Sequence, residues 1–198
     1  MTLRAPRPNE VAEVARRWAE VDERSEYVSD ADRSGRFDRA LAALVTDRGL
    51  GRVAASEALL ERWRDSDHVV VWVIEVDAKL AGMTNLRDID RDEQQATSGI
   101  HVYPEFRSRG IASEAVALRT AYAFGELDLH KVKSDTWVEN AAMLHILRKQ
   151  GYREVGVFRA ETRRNGQWHD VWQGELVRED WERPRGFGEP AASTPRSG

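Results

Sequence analysis

Pro104 divides the chain into two stretches whose apolar residues repeat differently, and few folds accommodate both patterns in that order. Upstream, the β-branched run Val69 to Val76 is bounded by Asp67 and Asp77 and reads as a buried strand. Asp77-Ala78-Lys79 turns it into a second strand over Leu80 to Leu86, and the acidic stretch Asp88 to Gln94 makes another hairpin. Thr97 to Tyr103 forms the next strand and stops at Pro104, so antiparallel strands follow one another. Downstream the pattern changes: Ile111 to Phe124 is helical, Lys131 to Val138 extended, Asn140 to Gln150 helical and Arg153 to Arg159 extended. That alternation implies crossover units. Asn165-Gly166 then marks a hairpin turn into a final strand over His169 to Val177.

The N-terminal stretch is helical instead. Val11, Val14, Ala15, Trp18 and Val21 fall on one face of a helix over Val11 to Asp22, with further helical patches at Phe37 to Val45 and Ser56 to Trp63. We expect one domain over residues 1–182 and a disordered Pro-, Gly- and Ser-rich tail over 183–198. The 198 residues suit a single core, since folding at this length removes roughly 70% of the unfolded surface from water.

Several function classes drop out on composition. The apolar run at His68 to Val76 is far short of a spanning helix, so no membrane association is expected. No apolar leader follows Met1, which makes a cytoplasmic location the expectation. The absence of cysteine removes disulfides, thiolate metal sites and a cysteine nucleophile, and no metal is expected. A net charge of −4 with scattered Lys and Arg lacks the footprint of a nucleic-acid binder, so no direct nucleic-acid contact is expected.

Val102-Tyr103-Pro104-Glu105-Phe106-Arg107-Ser108-Arg109-Gly110-Ile111-Ala112-Ser113 carries the most chemical information. A strand ends at a proline, and a short basic loop containing glycine opens straight into a helix. The first N–H groups of a helix lack intrahelical partners and sit at the positive end of its dipole, a ready site for an anion. Gly110 and Ala112 lack bulk and allow a phosphate close to that backbone; Arg107 and Arg109 add charge; Ser113 offers a cap or a phosphate donor. A solvated turn with Ser113 as helix cap accounts for the same residues.

Arg107-x-x-Gly110-x-Ala112 resembles the acetyl-CoA pyrophosphate loop of the GNAT superfamily of N-acetyltransferases, and its flanks resemble the ribosomal-protein N-terminal (RimJ/RimL-like) branch. Lys131 to Tyr152 is similar to that family's second cofactor segment, in which a strand delivers an Asn to a helix ending in Gly and an aromatic residue, here Asn140, Gly151 and Tyr152. Asn140 is also a good N-cap by its own chemistry. Gly166 to Trp181 is similar to the closing strand of the same branch. The resemblance spans residues 68–182 and implies an α/β (α+β) fold: a mixed, mostly antiparallel sheet of about six to seven strands flanked by helices, splayed in a V between two central strands. It implies acetyl-CoA as co-substrate, held by Val102, Tyr103, Arg107, Ser108, Arg109, Gly110, Ile111, Ala112, Ser113 and Asn140, with direct attack of an amine on the thioester.

Its acid and base do not carry over. The position matching the family's strand Glu is Thr97, with Ser98 beside it, and Met143 and Leu147 stand where the family often has Ser or Tyr. The candidates are His101, in the strand near the expected thioester, and Asp135, with Glu139 and Asp170 behind them and His145 facing away. Asp30, Asp32, Asp38 and the run Asp88, Asp90, Asp92, Glu93 either line the acceptor side or are solvated loop charges. Trp168 and Trp172 belong to the core or to a homodimer interface, or touch substrate. The expected acceptor is a protein or peptide N-terminus. A small amine such as a polyamine, aminoglycoside or amino acid is the alternative, and a non-catalytic acetyl-CoA-binding module is a different class of answer. A general nucleotide-binding domain fits the loop alone, because neither common glycine-rich nucleotide motif is present.

Overall fold

A computed structural model describes residues 1–24, 52–64 and 66–182. The helical patch at 37–45, the acids Asp30, Asp32 and Asp38, and the tail 183–198 lie outside the described residues, as does the side chain of Trp18.

In chain order the elements are β1 (Thr2–Arg4), α1 (Val11–Arg24), α2 (Arg52–Arg64), β2 (Val70–Val76), β3 (Lys79–Asp90), β4 (Gln95–Val102), α3 (Ile111–Gly125), β5 (Lys131–Trp137), α4 (Ala141–Lys149), β6 (Arg153–Arg164), β7 (Gln167–Val177) and α5 (Arg178–Glu182). The strands form one seven-stranded sheet in the order β1-β2-β3-β4-β5-β7-β6. Only β4 and β5 pair in parallel; the other neighbours are antiparallel. This is the expected α/β class.

Three features differ from the sequence reading. Thr2–Arg4 forms an edge strand on β2; its three residues are too few to show a period, and it is tied down by Arg4, which bridges Glu10 at 2.7 Å and Glu75 at 2.6 Å. Arg178–Glu182 is a short helix anchored by Arg178 on Phe124 O at 2.8 Å and Leu129 O at 3.1 Å, by Asp180 on Arg153 at 2.9 Å, and by Trp181 against Phe124 at 5.2 Å. The last strand, β7, enters between β5 and β6, so β6 becomes the outer edge instead of pairing with β5. The Asn165-Gly166 turn, with φ of 49° and 79° in the left-handed pair a tight hairpin needs, keeps β6 beside β7.

Alternation along the strands builds a core on each side. On one face, Val11, Val14 and Ala15 of α1 and Leu60 of α2 pack on Val73 and Met83. On the other, α3 and α4 bring Val116, Ala123, Phe124, Leu144 and Leu147 onto Trp72, Leu86, Ala96, Val132 and Trp172. Leu147 and Leu144 are therefore core, and so is Trp172, whose indole N–H donates to Glu154 at 2.7 Å. Trp168 stays 62% exposed on the β6–β7 hairpin.

Candidate active site

β4 and β5 pair only from Gln95↔Lys131 to Ser98↔Ser134. Beyond that point each stays with its outer neighbour: β4 follows β3 to Val102↔Gly82, and β5 follows β7 to Trp137↔Val171. The two strands consequently part, and the edge of β4 facing β5 has no strand partner past Ser98. Tyr103 N–H donates to Ala81 O at 2.8 Å, which sets the ladder phase. Gly99 and His101 then spend their main-chain groups on β3, while the N–H groups of Ile100 and Val102 face the gap.

This phase corrects one expected contact. Both main-chain groups of Tyr103 are used, the N–H on Ala81 and the carbonyl on Phe106 N–H at 2.9 Å. Its side chain is buried under Arg17, whose guanidinium lies 4.8 Å from the ring centroid. Ile100, and not Tyr103, presents a strand N–H to the gap beside Val102. The alternation of ladder bonds could have revealed it, had the partner register been known.

Two cavities open from the gap, one on each side. A cavity of about 510 Å³ is lined by Val102, Phe106, Arg107, Ser108, Gly110 to Ser113, Ala142 and Ile146. A second, of about 360 Å³, is lined by Arg87, Asp135, Trp137, Phe158, Glu161 and Gln173 among others. Ile100, His101, Asn140 and Met143 line both, so the two cavities adjoin at the splay.

The larger cavity ends at the N-terminus of α3. Its N-cap is Gly110, at φ 76°, and no side chain caps the helix. Ser113 is thus not the cap; it sits in the first turn, where its carbonyl accepts from Gln150 Nε2 at 3.3 Å. The uncapped N–H groups stay free for an anion, and a Cβ at Gly110 would meet nothing within 4 Å. Arg107 folds back so that its Nε donates to Val102 O at 3.0 Å. Arg109 does not line the cavity: its guanidinium lies 5.6 Å from the Phe106 ring centroid. Across the cleft, Asn140 Oδ1 caps α4 through Met143 N–H at 3.2 Å, and its Nδ2 donates to Thr136 Oγ1 at 3.2 Å. This donor set of helix N–H groups, hydroxyls and an arginine, leading to an apolar channel of Ile100, Met143 and Ile146, fits a phosphate group carrying an extended arm.

On the other side, His101 and Asp135 share the sheet face with Arg87, but their environments part them. His101 Nε2 is buried without a hydrogen-bond partner among the described residues. Burial, with Arg107 adding to it, pushes the imidazole down to about 4, so it is neutral near pH 7 and a weaker base than its candidacy in the sequence suggested. Asp135 moves the opposite way. Burial raises its pKa, against the pull of Arg87 Nη2 at 3.7 Å. Its side chain keeps 40% exposure inside the cavity, which lets a solvated acceptor reach it.

The other carboxylates singled out in the sequence are engaged elsewhere. Asp170 Oδ1 accepts from Ala160 N–H at 2.8 Å and holds the β6 bulge, while Glu139 lies 3.0 Å from His169 Nδ1; neither lines either of these two cavities. His145 is exposed on α4. The Asp88 to Glu93 turn lies at the paired end of β4, where Asp90 Oδ1 accepts from the N–H groups of Asp92 and Glu93. It lies roughly 10 Å along β4 from the point where the strands part, and none of Asp88, Asp90, Asp92 and Glu93 lines the second cavity. Arg87, Glu161, Thr162 and Gln173 went unnoticed in the sequence, because their convergence depends on strand order. No group of His, Asp or Glu able to hold a metal occurs among the described residues, nor any helix long and apolar enough to cross a membrane.

The geometry has clear counterparts. The fold matches spermidine N-acetyltransferase from Vibrio cholerae, in complex with CoA and spermine, with a TM-score of 0.72 at 20% identity, covering 92% of this chain and 98% of that one. Mycobacterium smegmatis RimJ, in complex with CoA-disulfide, gives a TM-score of 0.72 at 20% identity, covering 91% and 83%. By sequence, the chain is 31% identical over 106 residues to YdaF of Bacillus subtilis (strain 168), a protein named provisionally as a ribosomal N-acetyltransferase, covering 54% of this chain and 58% of YdaF. It is 32% identical over 100 residues to spermidine N(1)-acetyltransferase of Escherichia coli (strain K12), covering 50% and 54%. The aligned stretch thus spans little more than half the length of these curated relatives. The acetyltransferase (GNAT) domain family matches residues 1–153, and with the splayed β4–β5 pair and the uncapped, glycine-led α3 the chain belongs to that family.

Proposed function

We propose that this protein transfers an acetyl group from acetyl-CoA to a primary amine, and that the amine is the N-terminus of a protein or peptide. The observation that carries the reading is that the two cavities meet at Ile100, His101, Asn140 and Met143, which line both. A donor entering from one face and an acceptor from the other meet at the gap between β4 and β5.

Acetyl-CoA would supply a thioester, whose acetyl carbon gains a C–N bond to the amine as the C–S bond breaks and sulfur leaves as a thiolate, which takes a proton from solvent while the amine gives one up. The chain's part is to hold and orient. The first turn of α3, Ser108 and Arg107 bind the phosphates, and Ile100, Val102, Met143 and Asn140 flank the arm. The N–H groups of Ile100 and Val102 donate to polar oxygens in the gap, including the acyl oxygen as negative charge builds there. Asp135 takes the amine's proton, directly or through water; neutral His101 offers a hydrogen bond at the junction.

The weakness of these bases bears on the acceptor. An α-amino group has a pKa near 7.7–8.0 against about 10.4 for a lysine-type amine, so near pH 7 its neutral fraction is about 300-fold larger. A site whose base is a carboxylate suits the amine that loses its proton most easily. A polyamine is the second reading, favoured by Asp135 and Glu161 together in the acceptor cavity and by the spermidine acetyltransferases among the relatives.

The test is release of free CoA thiol from acetyl-CoA with peptides of free N-terminus, the same peptides N-acetylated, and spermidine. Release with free peptides alone supports the proposal. Release with spermidine and not with peptides replaces the acceptor. No acetyl-CoA binding by calorimetry and no release with any amine would overturn the activity.

A further inference from the structure

Arg119, on the inner face of α3, is fully buried and pairs with no carboxylate among the described residues. A lone guanidinium in a core costs desolvation that an apolar side chain of similar size would not. Its Nη1 donates to Gly99 O at 2.8 Å and to Thr84 Oγ1 at 2.9 Å, and Thr84 Oγ1 in turn donates to Gly99 O at 2.8 Å. One carbonyl thus receives two side-chain donors, one of them charged.

Gly99 is the first residue of β4 beyond its last pair with β5. Its carbonyl belongs to the same planar trans peptide as the Ile100 N–H, and the two point in opposite directions. Fixing the carbonyl toward β3 and α3 therefore aims the Ile100 N–H into the gap. Drawing electron density onto the carbonyl also makes that N–H a stronger donor.

We propose that Arg119 is a positioning residue: with Thr84 it clamps and polarises the Gly99–Ile100 peptide, so that the Ile100 N–H is presented to the acyl donor. Arg119 lies two turns into the helix whose N-terminus forms the phosphate end of the cavity, so one rigid element sets both ends of the donor site. This inference rests on the acetyl-CoA reading above.

The test compares the full-length protein with Arg119→Met, Arg119→Lys and Thr84→Val. Acetyl-CoA affinity is read by calorimetry, folding by thermal melting, and the Ile100 amide by its proton chemical shift. Arg119→Met is expected to melt at or above the wild-type temperature yet bind acetyl-CoA about ten-fold more weakly, with the Ile100 amide proton shifted upfield. Arg119→Lys should recover part of both, since an ammonium can still reach the carbonyl, and Thr84→Val should show the smaller loss. A folded Arg119→Met that binds acetyl-CoA like wild type overturns the proposal whatever the resonance does. Should Arg119→Met fail to fold, unchanged affinity in Thr84→Val and Arg119→Lys overturns it equally. Wild type that does not bind acetyl-CoA sinks the acetyl-CoA reading instead, and the Ile100 resonance still reports whether the clamp exists.

Discussion

Replacing Gly110 with alanine separates backbone strain from steric conflict. The residue sits at φ 76°, and a Cβ there would meet no heavy atom within 4 Å. Alanine therefore loses nothing to overlap and carries only the cost of the left-handed conformation, about 1–2 kcal/mol for a residue with a Cβ. That cost has two places to appear. If the chain keeps its native φ, stability falls by the whole amount, which for a domain of this size lowers the melting temperature by roughly 2–8 °C. If the loop relaxes to negative φ, the melting temperature holds, but the first N–H groups of α3 turn from the cavity. Acetyl-CoA must then restore them on binding, weakening affinity about 5–30-fold. Melting and calorimetry on the same preparation should show losses that together account for the strain. Gly110→Asn should show the smaller loss, since Asn tolerates this region better. A Gly110→Ala protein with unaltered melting temperature and unaltered acetyl-CoA affinity would refute the argument that this glycine is required by conformation.

Asp135→Asn should lower kcat/KM by about 10²–10⁴. In the wild type kcat/KM should fall as the pH drops through a carboxylate pKa raised by burial; the variant should lose that limb, and Arg87→Met should move it to higher pH, all read from pH–rate profiles. Gly82→Ala places a Cβ into the carbonyl of His101, a backbone atom that cannot yield cheaply. It should cost about 1–3 kcal/mol in denaturant unfolding and weaken acetyl-CoA binding by pushing β4 off β3. Glu10 is held down to about 2 from an ordinary 4.5, chiefly by its hydrogen bond from Arg4. Its contribution, about 1 kcal/mol after solvent screening, is therefore complete above pH 4.5 and lost as the pH falls toward 2. Glu10→Gln should remove that slope from acid unfolding curves.

Much of the fold was legible because its signals are local. The β-branched run at Val70 to Val76, the stop at Pro104 and the left-handed Asn165-Gly166 turn are readable from neighbouring side chains alone. So was the phosphate end of the site, since loop, glycine and helix start lie within one stretch of chain, from Arg107 to Ser113. Asn140 announced itself as an N-cap for the same reason.

What sequence could not reach depends on which strand lies beside which. Inserting β7 between β5 and β6 brings Phe158, Glu161 and Gln173 to Asp135, residues far apart in the chain. The phase of the β3–β4 ladder decides that Ile100 faces the gap while Tyr103 is spent on Ala81 and Phe106. A pattern of alternation shows which residues share a face but not which edge meets a partner. Ionisation follows the same division. His101 and Asp135 stand in the sequence as two ordinary titratable groups, and only their placement drives the imidazole down to about 4 and the carboxyl up. Composition and periodicity thus determined the elements and the phosphate-binding loop, because each arises from contacts a few residues long. Tertiary structure decided the ionisation of His101 and Asp135, the edge of β4 that faces the gap and the lining of the second cavity, because desolvation and strand pairing are set by neighbours distant in the chain.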